Sequence, residues 1–170
     1  ELLCINYLFN NKMGYYMSKL WSIVPTGRQS EVKIIITGLN NAGKTTLLYK
    51  LAIGEIIVTE PTIGSNCESL THNGIRMQVW DLGGQSNLRH AWDAYFTKTQ
   101  AIIYVIDASE MNQDIILSSK VEFHNMLMHA DLQNAVVLVF ANKSDLPGSK
   151  DTQDLIELYN LNVSTHEVQI

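Results

Sequence analysis

The sequence predicts an α/β domain whose core is a six-stranded, mostly parallel sheet flanked by helices. Three observations carry that expectation. Six strand-like stretches recur along the chain, at 32–37, 65–70, 75–80, 101–106, 135–141 and 167–170. The first, fourth and fifth are near-continuous apolar runs rich in β-branched residues, the pattern of parallel strands covered on both faces. The first strand runs through a glycine-rich loop into a helix, the local order that a phosphate-binding loop needs.

Composition narrows the class. The 170 residues suit one domain with a sizeable core, and 46% hydrophobic with 17% charged residues excludes a disordered chain. A formal charge of −5 and the lack of a basic patch argue against a nucleic-acid partner. Cys4 and Cys67 form no disulfide or metal framework and suggest a reducing compartment. No run of 18 apolar residues is present to span a bilayer, and the five histidines lack metal-ligand spacing.

The first 12 residues are apolar but lack the basic start and cleavage site of a signal peptide. Met13-Gly14-Tyr15-Tyr16-Met17-Ser18 fits M-G-x-x-x-S, so Gly14 is a candidate for N-myristoylation if translation starts at Met13. Residues 1–12 would then be an upstream extension; otherwise this is an ordinary internal Met-Gly. Tyr16, Met17, Leu20, Trp21 and Val24 fall on one face of a helix that Pro25 and Gly27 end. Beside an acyl site such a helix suits a reversible membrane anchor, because one myristoyl chain binds only marginally. The alternative is a helix packed on the domain.

Gly38-Leu39-Asn40-Asn41-Ala42-Gly43-Lys44-Thr45-Thr46 reads G-x-x-x-x-G-K-T. Gly38 and Gly43 let the backbone close around phosphate oxygens, and the helix start adds its positive dipole end. Lys44 can reach the β and γ phosphates, and the Thr45 hydroxyl can take a Mg²⁺ position. Thr62, in a loop held by Pro61 and Gly64, can supply a second Mg²⁺ ligand, although alone it reads as a turn residue. Thr71-His72-Asn73-Gly74 predicts a hairpin between the second and third strands. The third strand ends in Asp81-Leu82-Gly83-Gly84-Gln85. Asp81 can hold Mg²⁺ through water, Gly84 can offer its N–H to the γ phosphate, and Gln85 can orient an attacking water.

Residues 88–96 are expected to be helical, with Trp92, Tyr95 and Phe96 partly packed. Residues 111–129 read as a helical crossover with Ile116, Val121, Phe123, Leu127 and Met128 as its apolar positions. After the fifth strand comes Asn142-Lys143-Ser144-Asp145. Asp145 can accept hydrogen bonds from the N1–H and exocyclic amine of guanine, Asn142 can bond the ring edge and brace the glycine loop, and the Lys143 stem can lie on the ring face. Such a site rejects adenine because the carboxylate would go unpaired. Pro147-Gly148 turns the chain, and a short helix is expected at 154–159.

These motifs, in this order, resemble the small GTPases and, among them, the Arf/Arf-like family. The carriers are the glycine loop, Pro61-Thr62-Ile63-Gly64, Trp80-Asp81-Leu82-Gly83-Gly84-Gln85, and Phe140-Ala141-Asn142-Lys143-Ser144-Asp145-Leu146-Pro147. The resemblance implies a GTP/GDP switch with Mg²⁺-dependent, slow GTP hydrolysis in the P-loop fold, with residues 31–170 as its GTP-binding domain and 13–30 as amphipathic helix and linker. By the same resemblance, Gly38, Asn41, Ala42, Gly43, Lys44, Thr45, Thr46, Thr62, Gly84, Asn142, Lys143 and Asp145 bind nucleotide. Thr45, Thr62 and Asp81 serve Mg²⁺, and Gln85 with Lys44 serves hydrolysis. It further implies a monomer that attaches reversibly to Golgi membranes from the cytoplasm through a myristoylated helix, released by a register shift of the hairpin. Exchange factors, GTPase-activating proteins and effectors are its expected partners.

Several departures from the family pattern bear on this. Ser65 stands where the family places a Phe that joins Trp80 and Tyr95 in an aromatic effector surface; Ser65-Asn66 resembles an Arf-like branch associated with the trans-Golgi. Asn40 replaces the usual Asp, and 109–114 lacks a charged run. The family's final loop and C-terminal helix are expected to be missing, which predicts an exposed apolar sheet face, weak nucleotide binding and aggregation. A nucleotide-insensitive scaffold is therefore the competing reading, and an ATP-using enzyme is disfavoured by Asp145. No arginine is placed to act on the phosphates; Arg28, Arg76 and Arg89 read as solvated or effector-facing.

Overall fold

The computed structural model describes residues 31–56, 58–72, 75–89, 91–161 and 168–169. Gly14, the helix expected within 13–30, and the Asn73-Gly74 turn lie outside the described residues.

Strand β1 (Glu31–Thr37) is buried along almost its whole length because it lies between two neighbours. It runs parallel to β3 (Ile75–Leu82) on one side and to β4 (Ala101–Asp107) on the other. Beyond β4, β5 (Val136–Asn142) is also parallel. At the opposite edge β2 (Ser65–His72) pairs antiparallel with β3, from Ser65 opposite Leu82 to His72 opposite Ile75. The sheet is thus mixed, with five strands of seven or eight residues. The expectation of a six-stranded, mostly parallel sheet is corrected to a five-stranded mixed one: the sixth stretch amounts to β6 (Val168–Gln169), whose two residues pair with Val137 and Leu138. Two paired residues carry too little ladder to count as a strand of the core.

Strand alternation divides the core into two faces. Ile34, Ile36, Ile103, Val105, Leu138 and Phe140 point to the side covered by helix α1 (Lys44–Ile53) through Leu47 and Leu48. Ile35, Ile102, Tyr104, Ile106, Val137 and Val139 point to the other side. That side is covered by α3 (Asp93–Phe96), α4 (Gln113–Leu127) and α5 (Thr152–Tyr159), while α2 (Ser86–Arg89) lies between β3 and α3 in the chain. Fully burying one such Ile or Leu is worth about 1.5–3 kcal/mol, so both faces contribute substantially.

The helices start and stop where their caps dictate. Asn112 caps α4 by accepting from the Asp114 N–H, and Asp151 and Asp154 form a reciprocal capping box on α5. Helix α1 ends on Gly54 at φ 77°, whose N–H bonds to the Lys50 carbonyl. Three expectations shift. The helix predicted over 88–96 is two four-residue helices, and Trp92 and Phe96 are fully buried rather than partly packed. The Trp92 indole N–H donates to the Gly83 carbonyl, which satisfies its one polar atom in the core. On α4, Ile116, Phe123 and Leu127 are buried as predicted, but Val121 is 48% exposed and Met128 is exposed. The helix contacts the sheet on one side only, and these two residues fall outside that stripe.

Candidate functional site

The carboxyl ends of β1, β3, β4 and β5 all lie at one edge of the sheet, because these strands are parallel, and the glycine loop leaves the first of them. Ligands bind at such an edge in open α/β sheets. The loop is tightly enclosed. A Cβ on Gly38 would lie 2.3 Å from the Val105 carbonyl oxygen, and one on Gly43, at φ 91°, would lie 2.2 Å from the Asn142 side-chain nitrogen. Asn41 adopts φ 63°, a left-handed backbone that Asn tolerates. Among the described residues no side chain caps the start of α1, and no acid lies in its first turn, which leaves the partial positive charge of its amide groups for an anion.

Lys44 is 6% exposed, and its ammonium donates to the Leu39 carbonyl at 2.8 Å, curling over its own loop. Burial drives its pKa down to about 8 against the pull of Asp81, and the Arg89 charge pushes the same way as burial. Asp81 is wholly buried. Its Oδ2 accepts from the Thr45 hydroxyl at 2.5 Å and from the Thr62 hydroxyl at 3.1 Å, and the two threonine oxygens are 2.8 Å apart. Its Oδ1 is buried with no hydrogen-bond partner among the described residues. Burial raises the Asp81 pKa, opposed in turn by the Thr45 hydroxyl, the Lys44 charge and the Thr62 hydroxyl. An all-oxygen set with one carboxylate and an unsatisfied oxygen suits Mg²⁺, which favours oxygen ligands and keeps part of its water. Among the described residues no group of three His, Cys, Asp or Glu could hold an ion alone, so phosphate oxygens would complete the shell.

Gly84 packs on the loop from the other side. A Cβ there would come within 2.5 Å of three backbone atoms of residues 38–40, and the Gly84 carbonyl accepts from the Asn40 N–H at 3.0 Å. Gln85 is half-buried at the cleft wall.

Across the cleft, the Asn142 side-chain amide donates to the Ala42 carbonyl at 2.7 Å and so ties β5 to the glycine loop. Lys143, at φ 60°, forms a 2.7 Å ion pair with Asp107 Oδ2. Asp107 Oδ1 accepts from the Ser109 N–H and hydroxyl. Asp107 ends a parallel strand as Asp81 nearly does, and that shared position is the signal by which sequence reasoning could have found it.

The cleft encloses about 630 Å³. Asn41, Gly43, Lys44, Thr45, Thr46, Thr62, Gly84, Gln85, Asn142, Lys143 and Asp145 all line it. Gly38 and Ala42 stand behind it as packing positions, and Asp81 lies beneath its floor. Away from the cleft, Ser65, Trp80 and Tyr95 also meet: the Ser65 hydroxyl donates to the Tyr95 hydroxyl at 3.1 Å, and the Trp80 and Tyr95 rings lie 5.6 Å apart.

Arg89 departs from its expected place. Its side chain is 13% exposed and pairs with Glu122, so it is neither solvated nor effector-facing. The long separation of Arg89 and Glu122 in the chain hid this contact from the sequence. Arg76 is exposed, as expected.

Residues 17–170 match the ADP-ribosylation factor family profile. The chain is 48% identical over 149 residues to ADP-ribosylation factor 1 of Brassica rapa, covering 88% of this chain and 80% of that protein. It is 43% identical over 151 residues to ADP-ribosylation factor-like protein 1 of Saccharomyces cerevisiae, covering 89% and 79%. Among solved structures it resembles the Arl6 BBS3 small GTPase of Trypanosoma brucei, solved with the nucleotide analogue GppNp bound. The TM-score is 0.74 at 28% identity, over 82% of this chain and 84% of that one. The chain therefore belongs to the ADP-ribosylation factor family: it is a GTP-hydrolysing small GTPase, a GTP/GDP switch of vesicle trafficking.

Proposed function

We propose that the cleft between the glycine loop and Asn142-Lys143-Ser144-Asp145 binds GTP and GDP, with the roles set out below for this chain's residues. The observation that carries the reading is the meeting of the Thr45, Thr62 and Asp81 oxygens beside Lys44, with Asp81 Oδ1 still unsatisfied. The uncapped amides at the start of α1 bind phosphate oxygens, and Lys44 turns from the Leu39 carbonyl to the β and γ phosphates. When bound, Mg²⁺ would neutralise charge building on the phosphates, held by Thr45, Thr62 and, through water, Asp81. The Gly84 N–H senses the γ phosphate, and Gln85 orients the attacking water. Of the nucleotide, Thr62 and Gly84 would meet only the γ phosphate and its ion, so loss of that phosphate would take a contact from both loops at once, which is what makes the site a switch. Asp145 selects guanine while Asn142 and Lys143 hold its ring.

The membrane side of the reading rests on sequence. With translation starting at Met13, acylation of Gly14 and insertion of the helix within 13–30 would attach the active protein to trans-Golgi membranes, and exchange factors, GTPase-activating proteins and effectors would act on it there. The Ser65-Asn66 pair supports an Arf-like rather than an Arf effector set. Titration calorimetry with GTP, GDP and ATP, each in Mg²⁺ and in EDTA, tests the cleft. Tight, Mg²⁺-enhanced binding of guanine nucleotides alone is expected; equal affinity for ATP and GTP would overturn the reading.

A further inference from the structure

The groups around Gln85 are held by a contact that none of the nucleotide motifs contains. Arg89 ends α2 and reaches back and across. Its Nε donates to the Gly84 carbonyl at 3.1 Å, while Nη1 donates to the Ser118 hydroxyl at 3.0 Å and pairs with Glu122 Oε1 at 3.3 Å, both on α4. The guanidinium lines a separate cavity of about 270 Å³ between the back of the glycine loop and α4, and it is not part of the nucleotide cleft wall. It therefore acts through another group and not on phosphate itself.

That other group is the Gly84–Gln85 peptide. The peptide is planar, so fixing the Gly84 carbonyl fixes the Gln85 N–H and the position of the Gln85 Cα, the point from which its side chain departs. Two donors converge on this carbonyl: the Asn40 N–H from the glycine loop and Arg89 from α2. The first ties Gln85 to the phosphate loop; the second ties it to α4, an element that the phosphates do not touch. A guanidinium suits this place because its planar fork donates in two directions at once, which an ammonium does less well. Partial burial limits competition from water, and Glu122 supplies the counter-charge.

We propose that Arg89 is a positioning residue for Gln85, a strut that sets the Gly84–Gln85 peptide against α4 so that Gln85 is poised for the attacking water. This rests on the role given above to Gln85. Single-turnover GTP hydrolysis by preloaded full-length protein tests it, with Gln85→Leu, Arg89→Ala, Arg89→Lys and Glu122→Gln alone and Arg89→Ala combined with Gln85→Leu. Arg89→Ala should slow hydrolysis roughly tenfold and change GDP release by no more than about twofold, the pattern of a lost positioning contact. Arg89→Lys should recover part of the rate, Glu122→Gln should lower it to a lesser degree, and Arg89→Ala should cost nothing further in the Gln85→Leu protein. A merely structural arginine would instead speed GDP release and add its effect to that of Gln85→Leu, which would overturn the proposal. So would a parent-like rate in Arg89→Ala while Gln85→Leu is slow, which leaves the role of Gln85 standing. A parent-like rate in Gln85→Leu overturns that role and the strut with it. If Arg89→Ala does not fold, Glu122→Gln decides: slowed hydrolysis that vanishes in the Gln85→Leu background supports the strut, and a parent-like rate overturns it.

Discussion

Two aspartates stand near the ends of the strands that flank β1, and they are in opposite states. Asp81, on β3, is wholly buried with one oxygen unsatisfied and its other oxygen shared between two threonine hydroxyls. Asp107, the last residue of β4, is 17% exposed and has both oxygens engaged, one by the Lys143 ammonium and the other by the Ser109 N–H and hydroxyl. Residue type and strand position are nearly the same. What differs is satisfaction: a buried carboxylate left short of partners is held ready for a cation from outside, whereas a paired one is part of the scaffold.

The largest expected effect separates the two directly. Asp81→Asn should lower GTP affinity in Mg²⁺ by roughly 100- to 1,000-fold, since charge stabilisation by a held ion is worth several kcal/mol. Affinity in EDTA should change little. Unfolding of the nucleotide-free protein should also change little, because relief of carboxylate burial and loss of support for the Lys44 charge oppose each other. Titration calorimetry with and without Mg²⁺ checks the first, and urea unfolding the second. A similar loss in EDTA would assign Asp81 to the scaffold and erase the contrast with Asp107.

The contrast also shows what the sequence could and could not tell. Strands β1, β4 and β5 were legible because their apolar runs are long enough to demand burial on both faces, and the motifs at their ends were legible because phosphate chemistry fixes residue type and spacing. The contacts between Lys143 and Asp107, and between Arg89 and Glu122, were not, because each joins residues more than thirty positions apart and no local pattern requires them. The same limit explains Val121, whose apolar side chain fits a helix stripe in sequence but falls outside the face that the sheet covers. It explains β6 as well: 167–170 has strand composition, yet pairing depends on how much of the β5 edge it meets.

Asp145 gives an intermediate effect. It lines the cleft and, unlike Asp81 and Asp107, is exposed. Asp145→Asn should weaken GTP binding by about 100-fold, the scale of a lost pair of charge-assisted hydrogen bonds, and should shift preference toward xanthosine triphosphate, whose 2-oxo group accepts from the new amide. The ratio of affinities in Mg²⁺ and EDTA should stay at the parent value, which competition binding in both conditions would read. Asp107→Asn should do less. It removes the Lys143 ion pair but keeps an oxygen for Ser109, so GTP affinity should fall about tenfold and the nucleotide-free protein should lose about 1 kcal/mol. Greater harm to Mg²⁺ dependence than to base affinity would mean that the two aspartates do not divide the work as their hydrogen bonds indicate.

The smallest effect belongs to Ser65, where a paired polar group sits on a surface and not in a site. Its hydroxyl donates to the Tyr95 hydroxyl at 3.1 Å, in partial contact with water, and the Tyr95 ring in turn lies tilted against Trp80. Water replaces most of a bond lost there, so Ser65→Ala should cost about 0.5 kcal/mol in urea unfolding and leave nucleotide affinity unchanged. Ser65→Phe tests the same spot from the other direction. The ring would remove the hydrogen bond and present an aromatic face beside Tyr95, so partner capture in the GTP state should change while hydrolysis does not. A change in hydrolysis with either variant would mean that the hairpin surface and the cleft are mechanically linked, and that satisfaction at Asp81 depends on contacts well beyond Thr45 and Thr62.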